Sequence, residues 1–223
     1  MIKLEKKESI YFLTMDAGEN RWNTTFVREI AKALDTIEDD EGPGALITSA
    51  TDSKFFSNGL DLDWMQAPED YPDGGDREVF GEEFMYLMGR FITLPIPTIC
   101  ALNGHTFGAG FMFALSHDFR IMREDRGFLC ANEMQLGLPI PRPELALFKH
   151  KIPANAFFET VQLSKRWTGT DALEAGIVQE VSSFEELSNA ALIKAKELSP
   201  LANNRKNFGH QKEMLYGENA AIN

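Results

Sequence analysis

Two short stretches of this chain carry residue types that can grip a negatively charged oxygen. Lys54-Phe55-Phe56-Ser57-Asn58-Gly59-Leu60-Asp61-Leu62 follows an apolar run and opens a short helix, and Asn103-Gly104-His105-Thr106-Phe107-Gly108-Ala109-Gly110 does the same further on. Glycine takes backbone conformations that a Cβ forbids, and small residues let a ligand or a second backbone come close. The first N–H groups of a helix lack an intrahelical acceptor and favour anionic oxygen. Taken singly, the first stretch also fits an Asn-Gly turn that caps a helix, and the second fits small residues used for helix packing. Together, two N–H groups from separate turns converging on one oxygen make an oxyanion hole, in which each donor typically lowers a barrier by about 2.7–4 kcal/mol.

The other reactive residue types point away from alternative chemistries. Ser116-His117-Asp118 holds hydrolase residue types, but adjacent positions on one strand or turn cannot form a triad. Cys100 and Cys130 sit in apolar runs and read as buried thiols rather than a disulfide framework. His105, His117, His150 and His210 are scattered, so no zinc spacing arises and no metal is expected. His105, beside the second turn, reads as a structural histidine, with substrate contact as the alternative. Asp61 reads as a helix cap and Asp118 as the anchor of a strand end.

The two turns need elements to hold them. Ile2–Leu4 and Ile10–Met15 read as short strands, and Thr24–Glu38 as a helix with Phe26, Ile30, Ala33, Leu34 and Ile37 on one face. Ala45–Ser49 reads as a buried strand, Leu62–Met65 as a short helix, and 67–77 as a mobile, Pro/Asp/Gly-rich surface loop. A helix over Glu78–Leu94, a buried strand over Thr98–Leu102, an apolar helix over Phe111–Leu115 and a strand over Asp118–Met122 follow. Beyond Pro143 the pattern is helical, at Ala154–Leu163, Thr170–Ala175 and Phe184–Glu197, with one strand at Ile177–Val181. Such alternation predicts an α/β fold with parallel strands, here as a core over residues 1–198 and a short tail over 199–223.

The bulk properties narrow the partners. A net charge of −12 opposes phosphate backbones and anionic lipid, so neither nucleic acid nor membrane is expected, and an anionic ligand needs a local basic pocket. The N-terminus has no signal-peptide core, the apolar runs are short for a bilayer, and Ala220-Ala221-Ile222-Asn223 is not a Ser-Lys-Leu-type peroxisomal address, which leaves a cytoplasmic protein as the expectation.

Three stretches resemble the crotonase (enoyl-CoA hydratase/isomerase) superfamily: Phe55 to Leu62, Pro97-Thr98-Ile99-Cys100-Ala101-Leu102 running on to Gly110, and Ala114-Leu115-Ser116-His117-Asp118-Phe119-Arg120-Ile121. The likeness continues through Phe128 to Gly137, fades after Pro143 and returns weakly at Trp167 to Val178. In detail it is nearest to monofunctional Δ3,Δ2-enoyl-CoA isomerases. The resemblance implies a spiral of ββα units with a helical C-terminal part, an acyl-CoA substrate with no separate cofactor, and a homotrimer or dimer of trimers. It implies oxyanion donors at the backbone N–H groups of Leu60 and Ala109, and substrate contacts along Asn58, Gly59, Leu60, Asp61 and Leu62 and at Gly108 and Ala109. By the same resemblance Lys54 is a candidate for the CoA phosphates, and Arg205, Lys206 and Lys212 for the adenosine 3′-phosphate, with Phe208 packing on ligand or core.

The number of acids separates the chemistries within that family. Hydratases of the family hold a water between two glutamates. The first of those positions is Met112 here, and a thioether neither holds nor deprotonates water. The second position falls on Glu133 in Ala131-Asn132-Glu133-Met134-Gln135-Leu136-Gly137. One carboxylate suffices for a 1,3-proton shift that converts a 3-enoyl-CoA into the trans-2-enoyl-CoA, as in fatty-acid β-oxidation. Phe107, Phe111, Met112, Met134 and Leu136 are the expected apolar neighbours that raise the pKa of Glu133. The alternatives are another reaction of the superfamily (hydration, thioester hydrolysis, decarboxylation) and a silent acyl-CoA-binding protein.

Overall fold

The computed structural model describes residues 1–67 and 74–216. Most of the expected surface loop (68–73) and the end of the tail (217–223) lie outside the described residues. The chain opens with an antiparallel pair, β1 (Ile2–Lys7) and β2 (Ile10–Met15), and then α1 (Thr24–Glu38). The side chain of Asn23 accepts from Phe26 N–H at 2.9 Å and so caps α1.

A three-part unit then recurs. β3 (Ala45–Ala50) leads to the short β4 (Phe55–Ser57) and to helices α2 (Leu62–Gln66) and α3 (Phe80–Thr93). β5 (Thr98–Leu102) leads to β6 (His105–Phe107) and α4 (Ala109–Leu115). β7 (Phe119–Arg123) leads to β8 (Leu129–Cys130), a 3₁₀ turn over Glu133–Leu136 and α5 (Arg142–Lys151). The first strands of the units build a large sheet in the order β1-β2-β3-β5-β7-β9, parallel from β2 onward, and the second strands build a small parallel sheet, β4-β6-β8. This is the ββα spiral that the family resemblance implies. The C-terminal part is helical: α6 (Ala154–Val161), α7 (Gly169–Glu174), the edge strand β9 (Glu180–Ser182), α8 (Phe184–Leu198), a 3₁₀ turn over Ser199–Ala202 and α9 (Arg205–Tyr216).

The inner strands β3 and β5 are buried on both faces of the large sheet, which is why they read as short apolar runs. Ala45, Ile47, Ile99, Ala101 and Ile121 face Leu187, Ala191 and Ala195 of α8, while Leu46, Cys100, Leu102 and Met122 face the main core. In that core Trp22 is fully buried, with Phe26, Phe84 and Phe113 packed edge-on against it at 5.0–5.1 Å.

Two expectations need correction. Ile177 and Val178 are not in the last strand, which runs over Glu180–Ser182. Their N–H groups both bond Ala172 O, closing the end of α7, so they are not available to a sheet. The stretch from Asn103 to Gly110 is not a plain turn, because His105–Phe107 pairs with β4 on one side and β8 on the other.

Candidate active site

The first turn is shaped by a parallel bridge between Trp22 and Leu60. Trp22 N–H donates to Gly59 O at 2.8 Å and Asp61 N–H to Trp22 O at 2.9 Å. These bonds straddle Leu60, so its own N–H points to the opposite side, where it meets no acceptor among the described residues. Ser57 Oγ, which donates to Asn20 O at 2.7 Å, accepts from Trp22 Nε1 at 3.1 Å and from Gly59 N–H at 3.3 Å. Asn20 sits in the left-handed region, φ 49°, and its side chain donates to Phe56 O at 3.0 Å. The segment that carries the bridge is thereby tied to β4.

The second turn comes up against the first. A Cβ on Gly59, φ 81°, would lie 2.9 Å from Phe107 O and 3.8 Å from Ala109 N, so only glycine lets the two backbones approach. Gly108 turns the chain with φ 47° and ψ −117°, and Ala109 opens α4. As the first residue of a helix, Ala109 has an N–H without an intrahelical acceptor, and no other acceptor meets it among the described residues. The two free amides belong to turns in contact, as an oxyanion hole requires.

Glu133 reaches the same place from β8. A Cβ on Gly108 would lie 3.1 Å from Glu133 Oε1 and 3.6 Å from Asn132 Oδ1, so the carboxyl stands directly over the second turn. Glu133 Oε2 is buried and has no hydrogen-bond partner among the described residues. Burial raises the pKa of Glu133 above the ordinary glutamate range, and the nearby charge of Glu144 adds to the rise.

These groups line one cavity of about 610 Å³. Asn58, Gly59, Leu60, Leu62, Gly108, Ala109 and Glu133 of the sequence-derived set all face it, together with Met112 and Leu136. Asp61 lies outside its lining: its side chain accepts from Trp64 N–H at 3.3 Å as the cap of α2. Phe107, Phe111 and Met134 also lie outside. Phe111 is fully buried against Phe148, and Met134 is partly exposed. The apolar wall is supplied instead by Phe80 and Phe84 of α3, Met65 of α2, and Leu138, Pro139 and Pro141.

Besides Asp63, two charged residues of the cavity were not found from the sequence. Arg21 stands next to the bridging Trp22 and is held by Glu19 at 2.8 Å and Asp63 at 2.7 Å. Glu144 comes from the first turn of α5. No motif spacing marks either residue. The signal for Glu144 was a glutamate just after the Pro141-Arg142-Pro143 helix start.

The basic residues assigned to CoA by resemblance stand elsewhere. Lys54 Nζ lies 4.7 Å from the Phe55 ring, outside the cavity lining. Arg205 donates to Gly42 O and Ile37 O at 2.6 Å, and Lys212 to Asp118 at 2.6 Å and Ile96 O at 3.1 Å. Both therefore fasten α9 to the core, because their donors already have internal acceptors. Lys206 is exposed on α9, and Phe208 packs partly buried against the core. His105 is ringed by Phe55, Phe107 and Phe128 at 5.3–5.6 Å, and burial lowers its pKa. Ser116 and His117 bond back to Met112 O and Phe113 O, so the hydrolase residue types stay in the core. Among the described residues no three metal-ligating side chains gather, and no helix is long and apolar enough to cross a membrane.

The ββα spiral thus brings two free amides at touching turns and a buried acid above them to one cavity. The chain belongs to the enoyl-CoA hydratase/isomerase family, whose profile matches residues 5–214. It is 35% identical over 189 residues to an Arabidopsis thaliana protein named enoyl-CoA delta isomerase 2, peroxisomal, covering 83% of this chain and 79% of that one. It is 33% identical over 172 residues to a carnitinyl-CoA dehydratase of Salmonella paratyphi A, covering 76% and 63%. A solved structure of a probable enoyl-CoA hydratase from Mycobacterium tuberculosis superposes with a TM-score of 0.87 at 25% identity, covering 99% of this chain and 91% of that one.

Proposed function

We propose that this enzyme moves the double bond of a 3-enoyl-CoA into conjugation, giving the trans-2-enoyl-CoA. The thioester oxygen is held by Leu60 N–H and Ala109 N–H, and the Glu133 carboxylate removes a proton from the α carbon. The C–H electron pair becomes the dienolate, whose charge rests on the thioester oxygen. The protonated Glu133 then gives the proton to the γ carbon, and the remaining double bond lies between the α and β carbons. The observation that carries this reading is the placement of Glu133 Oε1 over Gly108, next to the free Ala109 amide, in a cavity whose neighbouring wall is Met112. Burial supports it further, because it raises the pKa of Glu133 towards that of a useful base. The reaction needs no cofactor beyond the CoA ester itself, and the trimeric assembly implied by resemblance is carried with it.

Following the conjugated enoyl thioester by absorbance with 3-hexenoyl-CoA tests the proposal. Wild type gives the signal, and Glu133→Gln loses about 10²–10⁴-fold in kcat. A silent wild type, or an unchanged variant, overturns it. Glu144 favours a second reading, in which two carboxyls in one cavity activate water for hydration or the reverse. The same instrument separates the two, since hydration of trans-2-hexenoyl-CoA removes the conjugated absorbance instead of creating it.

A further inference from the structure

A 1,3-proton shift needs one carboxyl, yet the cavity holds a second. Glu144 lines it beside Leu138, Pro139 and Pro141. Its Oε2 is closed off from solvent and has no hydrogen-bond partner among the described residues. A carboxyl oxygen shut away from water without a partner is costly. A plain hydrocarbon tail entering this cavity displaces water and leaves Glu144 unpaired, so a plain tail is a poor match for this wall.

The chemistry of the missing partner can be narrowed. Burial pushes the Glu144 carboxyl up towards its neutral form. A cationic group pairs only with the ionised form, which burial disfavours, and a ketone only with the protonated form. A hydroxyl donates to the carboxylate and accepts from the acid, so it satisfies both. We propose that Glu144 is a specificity residue that selects acyl chains bearing a hydroxyl beyond the γ carbon, so that the substrate class is 3-enoyl thioesters of hydroxy acids. This deepens the isomerase reading and rests on it. The bond is made alike in ground and transition states, so it acts on KM and leaves kcat nearly untouched.

The test uses wild type, Glu144→Gln and Glu144→Leu with 3-octenoyl-CoA, its 6-, 7- and 8-hydroxy derivatives and an 8-amino derivative. Turnover is read as conjugated-thioester absorbance. Calorimetry with octanoyl-CoA and the matching saturated hydroxy and amino esters reads binding without chemistry. At least one hydroxy isomer is expected to exceed the plain chain about tenfold in kcat/KM, through KM, as one hydrogen bond allows. Its saturated counterpart binds tighter by a similar factor. Glu144→Gln keeps the preference, and Glu144→Leu reverses it. Equal handling of all chains by wild type overturns the proposal. So does a uniform fall in kcat for Glu144→Leu, which would place Glu144 in the proton transfer, and so does a preference for the amino chain that Glu144→Gln abolishes. If wild type turns over none of the esters, the isomerase reading fails, while the calorimetric preference still decides the role of Glu144.

Discussion

Two places in this molecule bury ionisable side chains in opposite ways. Under α9, Lys212 is 6% exposed and donates to Asp118 and to Ile96 O, while Asp118 also accepts from Thr98 N–H and its hydroxyl. In the cavity, Glu133 and Glu144 each keep a buried oxygen without a partner among the described residues. A buried charge with its partners in place belongs to the fold. A buried acid without one destabilises the fold and is retained for a ligand. The contrast assigns structure to one region and chemistry to the other, and it can be broken from either side.

The largest expected effect is at the base. Glu133→Gln should cost about 10²–10⁴-fold in kcat while the protein stays folded, because the amide keeps the shape of the side chain and removes an unpaired charge. Steady-state kinetics and a melting curve on the same sample check both halves. A variant that loses activity only because it unfolds would erase the contrast.

The mirror experiment is Lys212→Met. It strips Asp118 of its ion-pair partner and leaves Ile96 O short of a donor, with an expected loss of about 2–3 kcal/mol in denaturant unfolding. Asp118 is 22% exposed and keeps its bonds to Thr98, which holds the loss below that of a fully buried broken pair. The kcat of the folded fraction should change less than about threefold, since α9 contributes nothing to the cavity lining. A larger fall in kcat would tie α9 to the site.

The same contrast explains what could be read from the sequence. α1 was legible to the residue, because Phe26, Ile30, Ala33, Leu34 and Ile37 repeat at helical spacing. β5 was legible because it is buried on both faces. The strands of the small sheet were not: two or three residues such as Leu129-Cys130 carry no period, and pairing with distant strands alone makes them strands. α5 was hidden behind Pro141 and Pro143, which look like breakers but sit at a helix start. Both glycine turns could be named because their chemistry is local. Glu144 could not, because only the path from Gly137 through Pro141 brings it back to Glu133. The tail lysine and arginine were misread towards CoA because charge in a sequence does not show whether it already has a partner.

A smaller effect concerns acid. On the proposed mechanism the Glu133 carboxylate is the active form, so kcat/KM should fall as pH drops through its pKa. That fall should come at higher pH than for an exposed glutamate, since burial and then the charge of Glu144 raise the pKa. Glu144→Gln removes the second cause and should move the acid limb to lower pH without flattening it. A pH–rate profile of both proteins checks the direction. A limb that stays in place would mean that the two carboxyls do not feel each other.

The smallest effect is on stability, and its sign opposes that of Lys212→Met. Burial raises the pKa of Glu144 above its value in the unfolded chain. A group shifted that way contributes stability that is fully present below the unfolded pKa and is lost as pH rises through the folded one. Glutamine is neutral throughout, so Glu144→Gln should melt higher than wild type at pH 8, by about 2–4 °C for each kcal/mol recovered in a chain of this size. Near pH 4 wild-type Glu144 is protonated in the fold and the two curves should meet. Melting scans between those limits read the difference. A Glu144→Gln protein that melts lower at pH 8 would show that the carboxylate is paired after all, and the cavity would then bury its charge in the same manner as α9.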